Sequence, residues 1–403
     1  MTILFISNEY PPDTGWGGIG TYTKHIAENL VLRGHTVHVI CRSVSGTNHT
    51  LQQNGVMVHR MVPGPYTLPS SNCWYPLRAL CYRLIPQSLV RLAWAKTAAK
   101  AVASLKVSGT IFDIIEYPEC GAEGFFCKGV AAATVARLHT PWEIIQRVDE
   151  LPGPVSDRIA LTFLEKTAVK QSVAVSSPTH ALARLMKKRW GLKQVTVYPN
   201  PIPVASYSDT TGGGWIYSGR IERRKGVETL LHAYAALQRD HPVPPLTLLG
   251  RPYGRLKNGM EYAEHIRKMI AEKGIGKHIT WIPGVPTHEV ASYLARSSVA
   301  FFPSLWENFP YACLEAMASG CAVAASRCGG FPEMIDDTVT GLLFEPGNEQ
   351  ALQKVMLRFI NEPGLARILG NAARCGVTDK FDAAPVCADA ERFYRSLEGS
   401  DHA

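Results

Sequence analysis

The sequence predicts an α/β protein made of two doubly wound domains, and three observations carry that expectation. Short apolar runs alternate with helical patterns through residues 1–198, as parallel strands joined by helical crossovers do. The alternation restarts at residue 214, after the stretch YPNPIPVASYSDTTGGG (198–214), whose Pro, Ser and Gly content marks a linker. The chain's 403 residues exceed one ordinary core and suit two domains of roughly 200 residues each. The expected layout is a first domain over 1–198 and a hinge over 199–213. A second domain follows over 214–376, then a closing helical segment over 377–403 that returns toward the first domain.

Taken in order, the strand-like runs of the first half are TILFIS, HTVHVIC, GVMVHRM, FDIIEY, ATVARLH and SVAVSS. Between them lie helical patterns such as GTYTKHIAENLVLRG, with apolar residues at helical spacing and a stop at Gly34. In the second half, strand GWIYSGR precedes helix GVETLLHAYAAL, and strand PLTLLG precedes helix GMEYAEHIRKMIAEKG. Strands HITWIPG and VAFFPS lead to helix PYACLEAMASG, and strands CAVAAS and GLLFEPG follow. A break near Gly376 separates the closing helix FDAAPVCADAERFYRSLEG. Two doubly wound domains joined by a hinge are expected to set their strand-end crevices around a shared ligand cleft.

Composition narrows the functional classes. Apolar residues make up 46 % of the chain, with Gly and Pro spread along it, which excludes disordered and collagen-like classes. The ten cysteines form no Cys-x-x-Cys pair and mostly sit in apolar runs such as GCAVAASRC, as buried thiols of a reducing compartment do. The start MTILFIS is too short and too poor in basic residues for a signal peptide. No apolar run is long enough to span a bilayer. A cytoplasmic protein is expected, or one resting on the inner face of a membrane.

The net charge of +8 is unevenly placed. No acidic residue falls between Glu28 and Asp113, whereas Arg33, Arg42, Arg60, Arg78, Arg83, Arg91, Lys96, Lys100 and Lys106 do. With no nucleic-acid module in the chain, nucleic acid is not expected as a partner. The interleaved Trp74, Tyr75 and Trp94 suit an anionic membrane surface or an anionic acceptor better.

The stretch EYPPDTGWGGIGTY contains Gly-x-Gly-x-x-Gly at Gly15, Gly17 and Gly20. That spacing alone is a weak dinucleotide signal. Here NEYPPDT separates strand from glycines, and the second strand ends at Cys41 and Arg42 where an acidic residue would be expected. An Arg there could hold a 2′-phosphate, so an NADP-dependent oxidoreductase stands as an alternative. The firmer statement is that Gly17 and Gly18 let backbone amides approach an anion at the start of a helix.

The second half holds a more specific pattern in SLWENFPYACLEAMASGCAVAASRCGGFPEMI. Pro310 and Gly320 bracket a helix of about three turns. Glu307 precedes that helix. Glu315 lies inside it among apolar neighbours, where an unpaired carboxylate would be costly to bury. Both carboxylates are suited to accepting hydrogen bonds from sugar hydroxyls. Upstream, in YSGRIERRKG, Arg220 and Lys225 sit before a helix start as a clamp for a diphosphate, with Arg223 and Arg224 expected in solvent. Plain surface charges are the competing explanation for each of these side chains.

ENFPYACLE resembles the Glu-x7-Glu signature of family 4 (group 1) glycosyltransferases, and SGRIERRKG resembles that family's diphosphate motif. PPDTGWGGIGTYTKHIAENLVLRGHTVHVI is similar to its N-terminal loop and helix. The resemblance implies the GT-B fold, with two Rossmann-like domains: an acceptor domain, then a donor domain. It implies that Glu315 binds the ribose of a nucleotide sugar and Glu307 its hexose. Gly17, Gly18, Asn308, Phe309, Tyr311 and Leu314 would line the donor, with Val285 near the base. Arg220 and Lys225 would neutralise the diphosphate as it leaves, and His139, in ARLHTPW, would stand near the sugar. The family retains anomeric configuration. No Asp-x-Asp occurs in the chain, so no cofactor and no metal is expected. The implied function is transfer of a hexose to a saccharide or lipid-linked acceptor in polysaccharide or glycoconjugate synthesis. UDP-glucose is the first expected donor and GDP-mannose the second, on family frequency. A non-catalytic sugar-nucleotide-binding protein is the other alternative.

Overall fold

The computed structural model describes residues 1–14, 17–64, 75–150, 153–208 and 212–398. Gly15 of the glycine loop, Trp74 and residues 209–211 of the expected hinge lie outside them. The chain folds into two compact units. The first takes Met1–Gln146, Pro152–Pro201 and Ala383–Ala403, and the second takes Arg147–Leu151 and Ile202–Asp382.

The first unit is built on β1 (Thr2–Ile6), α1 (Gly18–Leu32), β2 (Thr36–Arg42), β3 (His49–Gln53) and β4 (Val56–Met61). It continues through α2 (Tyr75–Leu84), α3 (Pro86–Val107), β5 (Ile114–Pro118), β6 (Ala133–Arg137), α4 (Trp142–Val148), which runs on into the second unit, and α5 (Val155–Gln171). β7 (Ala174–Ser177), α6 (His180–Trp190) and β8 (Thr196–Val197) complete this run. The sheet order is β3-β4-β2-β1-β5-β6-β7-β8, parallel except for β3 against β4. β1 is apolar at nearly every position because neighbours flank it and helices cover it, the pattern of a central parallel strand. β3 carries His, Thr and Gln on an exposed edge, so no apolar run announced it.

The second unit begins its sheet with β9 (Gly214–Ser218), followed by α7 (Val227–Gln238), β10 (Leu246–Leu249), α8 (Tyr262–Glu272) and β11 (Ile279–Ile282). Then come α9 (Thr287–Leu294), β12 (Ser297–Phe302), α10 (Tyr311–Ala318), β13 (Ala322–Ser326), α11 (Phe331–Met334) and β14 (Leu342–Phe344). α12 (Glu349–Asn361) and α13 (Leu365–Phe381) close it. Its sheet is all parallel in the order β11-β10-β9-β12-β13-β14. Leu230, Leu231, Leu246, Leu248, Phe301 and Met356 are among the side chains of its buried core.

Three local expectations are corrected. The chain does not break near Gly376: α13 continues through it and ends at Phe381, with Asp382 as its C-cap. α10 is eight residues long, with Pro310 as its N-cap rather than its first residue. The acid-free stretch 29–112 is not acid-free in space. Arg33 pairs with Glu391 at 2.6 Å, and buried Arg60 with Asp13 at 3.2 Å. Trp94 is also buried and donates its indole N–H to Glu123, so it offers nothing to a membrane.

The last helix, α14 (Ala383–Arg395), belongs to the first unit, where a polar knot anchors it. Buried Glu116 of β5 accepts the hydroxyls of Tyr22 (2.7 Å), Tyr198 (3.2 Å) and Tyr394 (2.8 Å). The buried Arg137 guanidinium stacks on Tyr22 and Tyr198 and donates to the Tyr198 carbonyl at 2.9 Å. Three hydroxyl donors on one buried carboxyl group fix one arrangement of the segments that carry them.

Candidate active site

In each sheet, the first strand of the unit has its later neighbours on both sides, so the order reverses beside it. Loops diverge at the carboxyl ends of such strands and leave a crevice. In the second unit, the reversal lies between β9 and β12. The loop after β9 carries Arg220, Glu222, Arg224 and Lys225, and the loop after β12 carries Glu307. The sheet therefore brings together the two motifs that lie about eighty residues apart in sequence.

Arg224 is the hub of this crevice and corrects the expectation that it is solvated. Its side chain is only 6 % exposed. It donates to Glu307 (2.6 Å), Glu222 (2.6 Å) and the Trp306 carbonyl (3.0 Å), and it lies 3.5 Å from Asp149. Its backbone N–H also donates to Asp149 at 2.7 Å. Burial disfavours the guanidinium charge, but the three carboxylates outweigh it and raise its pKa. Arg223, by contrast, is 40 % exposed beside Glu150.

The two motif carboxylates stand in opposite electrostatic states. Burial alone would raise Glu307, but Arg224 and Lys225 overcome it and hold the carboxyl at about 2. Lys225 is itself ion-paired to Glu307. Among the described residues, Glu315, on α10, has no cation against it. Burial pushes it up to about 7, partly offset by a hydrogen bond with the Tyr207 hydroxyl. Arg374 fixes that tyrosine's backbone, bonding the Tyr207 carbonyl at 2.9 Å and the Ala318 carbonyl at the end of α10 at 2.6 Å.

Arg220 is an exposed cation of the crevice. It is 44 % exposed, lies 3.2 Å from Glu222, and is stacked on Tyr253 with its guanidinium carbon 5.0 Å from the ring centre. Asn308, Phe309, Tyr311 and Leu314 are buried, and Phe309 packs edge-on against Phe381. The side chains of Phe309, Tyr311 and Leu314 thus serve the core, and their backbone is what they could offer a ligand. The Leu314 N–H is directed at the Pro310 carbonyl, at 3.4 Å. Val285 sits half-buried in the loop after β11, two strands away from β9.

The remaining expected residues belong to the first unit. Gly17 caps α1, and a Cβ there would meet the Glu9 carboxylate at 2.8 Å. Gly18 is the exposed first residue of that helix, where backbone N–H groups make the end positive. His139 follows β6. Its N–H donates to the Glu119 carboxylate at 2.7 Å, and its ring meets Tyr22 edge-on at 5.2 Å. Burial, then the Arg137 charge, lowers its pKa to about 3, so the imidazole is neutral at ordinary pH. Glu119, which accepts that N–H, is raised by burial to about 8, as are Glu165, which accepts the Gly121 and Trp142 N–H groups, and Glu123, which accepts from Asn8 and Trp94.

Among the described residues, no group of three or more His, Cys, Asp or Glu side chains is placed to hold a metal ion. Sequence reasoning missed Asp149, Glu222, Arg224, Tyr207 and Arg374. The alternation Arg220, Glu222, Arg224 was a legible sign of a paired cluster. Nothing in the sequence pointed to Asp149 or Tyr207, which arrive from distant segments.

A family model described as glycosyl transferases group 1 matches residues 208–375, and one described as glycosyltransferase family 4 matches residues 16–206. The MMP alpha-(1->4)-mannosyltransferase of Mycolicibacterium hassiacum is 35 % identical over 422 residues, covering 98 % of each chain. Sucrose-phosphate synthase from Thermosynechococcus elongatus shares the fold with a TM-score of 0.79, at 20 % identity over 98 % of both chains. Anabaena HepE in complex with UDP-glucose does so with a TM-score of 0.71, at 17 % identity over 98 % of this chain and 100 % of that one.

Proposed function

This chain belongs to the group 1, family 4 glycosyltransferases, and on that premise we propose that it moves a hexose from a nucleoside diphosphate sugar to a saccharide or lipid-linked acceptor, with retention of configuration and without a metal ion. The observation that carries this reading is the switch-point cluster in which Arg224 and Lys225 hold Glu307 and Arg220 pairs with Glu222, with Glu315 on the short helix that follows Glu307.

Each part of the cluster has a task in that chemistry. A departing nucleoside diphosphate gains negative charge in the transition state, which fixed cations stabilise without reorganising. Arg220 offers an exposed guanidinium, and Lys225, paired with Glu307, an ammonium on the same loop. Arg224 is committed to Glu222, Glu307 and Asp149, so it holds the loop rather than the ligand. Glu307, ionised by its neighbours, is a hydrogen-bond acceptor for a sugar hydroxyl. Glu315, which among the described residues has no ion pair to Lys or Arg, can exchange its Tyr207 contact for a ribose hydroxyl. In a retaining transfer the acceptor proton passes to the departing phosphate oxygen, so no side chain is needed as base. His139 is proposed to assist at the sugar in its neutral form.

The sugar is a finer matter. Glucose from UDP was the first expectation, and HepE was solved with UDP-glucose. The 35 % identical relative is a mannosyltransferase, which favours mannose as a second reading. The oxidoreductase alternative falls with the family assignment.

Titration with UDP, GDP and their glucose and mannose conjugates, followed by NMR of the product's anomeric proton, tests the proposal. Binding of one nucleotide sugar, retained configuration and a rate unchanged by chelator are expected. His139→Ala should lower turnover by about two to four orders of magnitude. An inverted product or a metal requirement would overturn the mechanism.

A further inference from the structure

We propose that the first unit docks on an anionic lipid surface through the outward faces of α2 and α5. On α5, Val155, Ile159 and Phe163 stand four residues apart, so they form one line along the helix. They are 59 %, 65 % and 65 % exposed. The opposite face of the same helix buries Leu161, Leu164, Ala168 and Val169 in the unit. A helix that is apolar on two sides calls for cover on both.

α2 extends the line. Leu80 and Leu84 lie one turn apart and are 47 % and 40 % exposed. The Ser156 hydroxyl donates to the Leu84 carbonyl at 2.7 Å, which ties the end of α2 to the start of α5.

Charge selects the occupant. The acids of α5 are turned inward: Asp157 takes the Gln87 and Ser88 N–H groups at the start of α3, and Glu165 takes those of Gly121 and Trp142. α2 has no acid at all. Arg83, Arg158 and Lys170 are exposed on these same helices. An apolar line flanked by cations matches an interfacial bilayer contact, in which side chains enter the headgroup boundary and cations meet lipid phosphates. A second copy of the chain would bring the same cations face to face and repel. No helix among the described residues is long and apolar enough to cross a membrane, so the contact lies on the surface.

The test is co-sedimentation of the whole protein with vesicles of phosphatidylcholine alone and with phosphatidylglycerol added. Binding to the anionic vesicles only, weakened by salt, is expected. Ile159→Glu with Phe163→Glu should abolish it, and Arg83→Glu with Arg158→Glu should weaken it by at least about fivefold per cation. These positions are exposed and outside the sugar-nucleotide crevice, so thermal midpoint and nucleotide affinity should hold in every variant. Equal binding to both vesicle types would overturn the proposal, as would full binding by the Ile159–Phe163 variant. Concentration-dependent self-association lost in that variant, without vesicle binding, would assign the face to a second copy instead.

Discussion

Arg220 and Arg224 show how differently two arginines of one loop can be used. Arg224 neutralises buried Glu222, Asp149 and Glu307, so Arg224→Met should cost about 3–5 kcal/mol by leaving those carboxylates unpaired. Arg220 is half in solvent, so Arg220→Ala should leave the thermal midpoint nearly unchanged. It should instead weaken nucleotide binding about ten- to a hundredfold, the worth of a charged hydrogen bond. A midpoint lowered equally by both substitutions would refute this division. The two glutamates separate in the same way. Glu315→Ala should weaken free nucleotide and full donor alike, since the ribose is common to both. Glu307→Gln should lower turnover while nucleotide affinity changes little. If Glu307→Gln damaged nucleotide affinity as much as Glu315→Ala, the assignment of ribose and hexose would be reversed or wrong.

The Glu307 loop is shaped by a contact from the next βα unit. Gly330 donates its N–H to the Glu307 carbonyl at 3.0 Å, and Gly329 adopts φ +54° against it. A Cβ on Gly329 would come within 1.6 Å of the Glu307 carbonyl oxygen, which is backbone and cannot swing away. Gly329→Ala should therefore destabilise by at least about 1–3 kcal/mol and lower turnover, whereas Gly347→Ala, with no such contact, should cost less than that and spare activity. Comparison of melting curves and initial rates for the pair decides it. This element also shows what the sequence could and could not disclose. Apolar runs placed the parallel strands, because central strands covered on both faces are written in Val, Ile, Leu and Phe. The polar edge strand β3 carried no such mark. The motif spacing placed Glu307 and Glu315 beside one helix, but spacing holds no information on ion pairing. That Arg224 would be buried and Glu315 left without a cation depended on Asp149 and Tyr207, which sequence distance conceals.

Across the whole chain, buried titratable groups set a pH dependence whose sign can be worked out. Glu119, Glu123 and Glu165 sit at about 8 in the folded protein because burial penalises their charge, against an unfolded value of about 4.3. The folded state thus holds protons that the unfolded chain has released, and stability falls as pH rises from about 4.5 to 8. His25 and His59, at about 4, and His139, at about 3, act oppositely. Their folded forms bind fewer protons than the unfolded chain, so they add stability as pH rises from about 4 to 6.5. Glu307, at about 2, adds stability above its unfolded value and loses it only as pH falls through about 4.5 toward 2. Below about 6.5 these contributions oppose one another. Between 6.5 and 8 the raised carboxyls act with neither the histidines nor Glu307 against them, and stability should decline. Glu119→Gln isolates one of them: it is neutral at every pH and keeps an oxygen to accept the His139 N–H. Its advantage over the native chain should grow by about 1–2 kcal/mol between pH 6.5 and 8. Urea unfolding of both proteins at the two pH values measures that growth directly, and a pH-independent difference would mean that Glu119 is ionised in the folded protein after all.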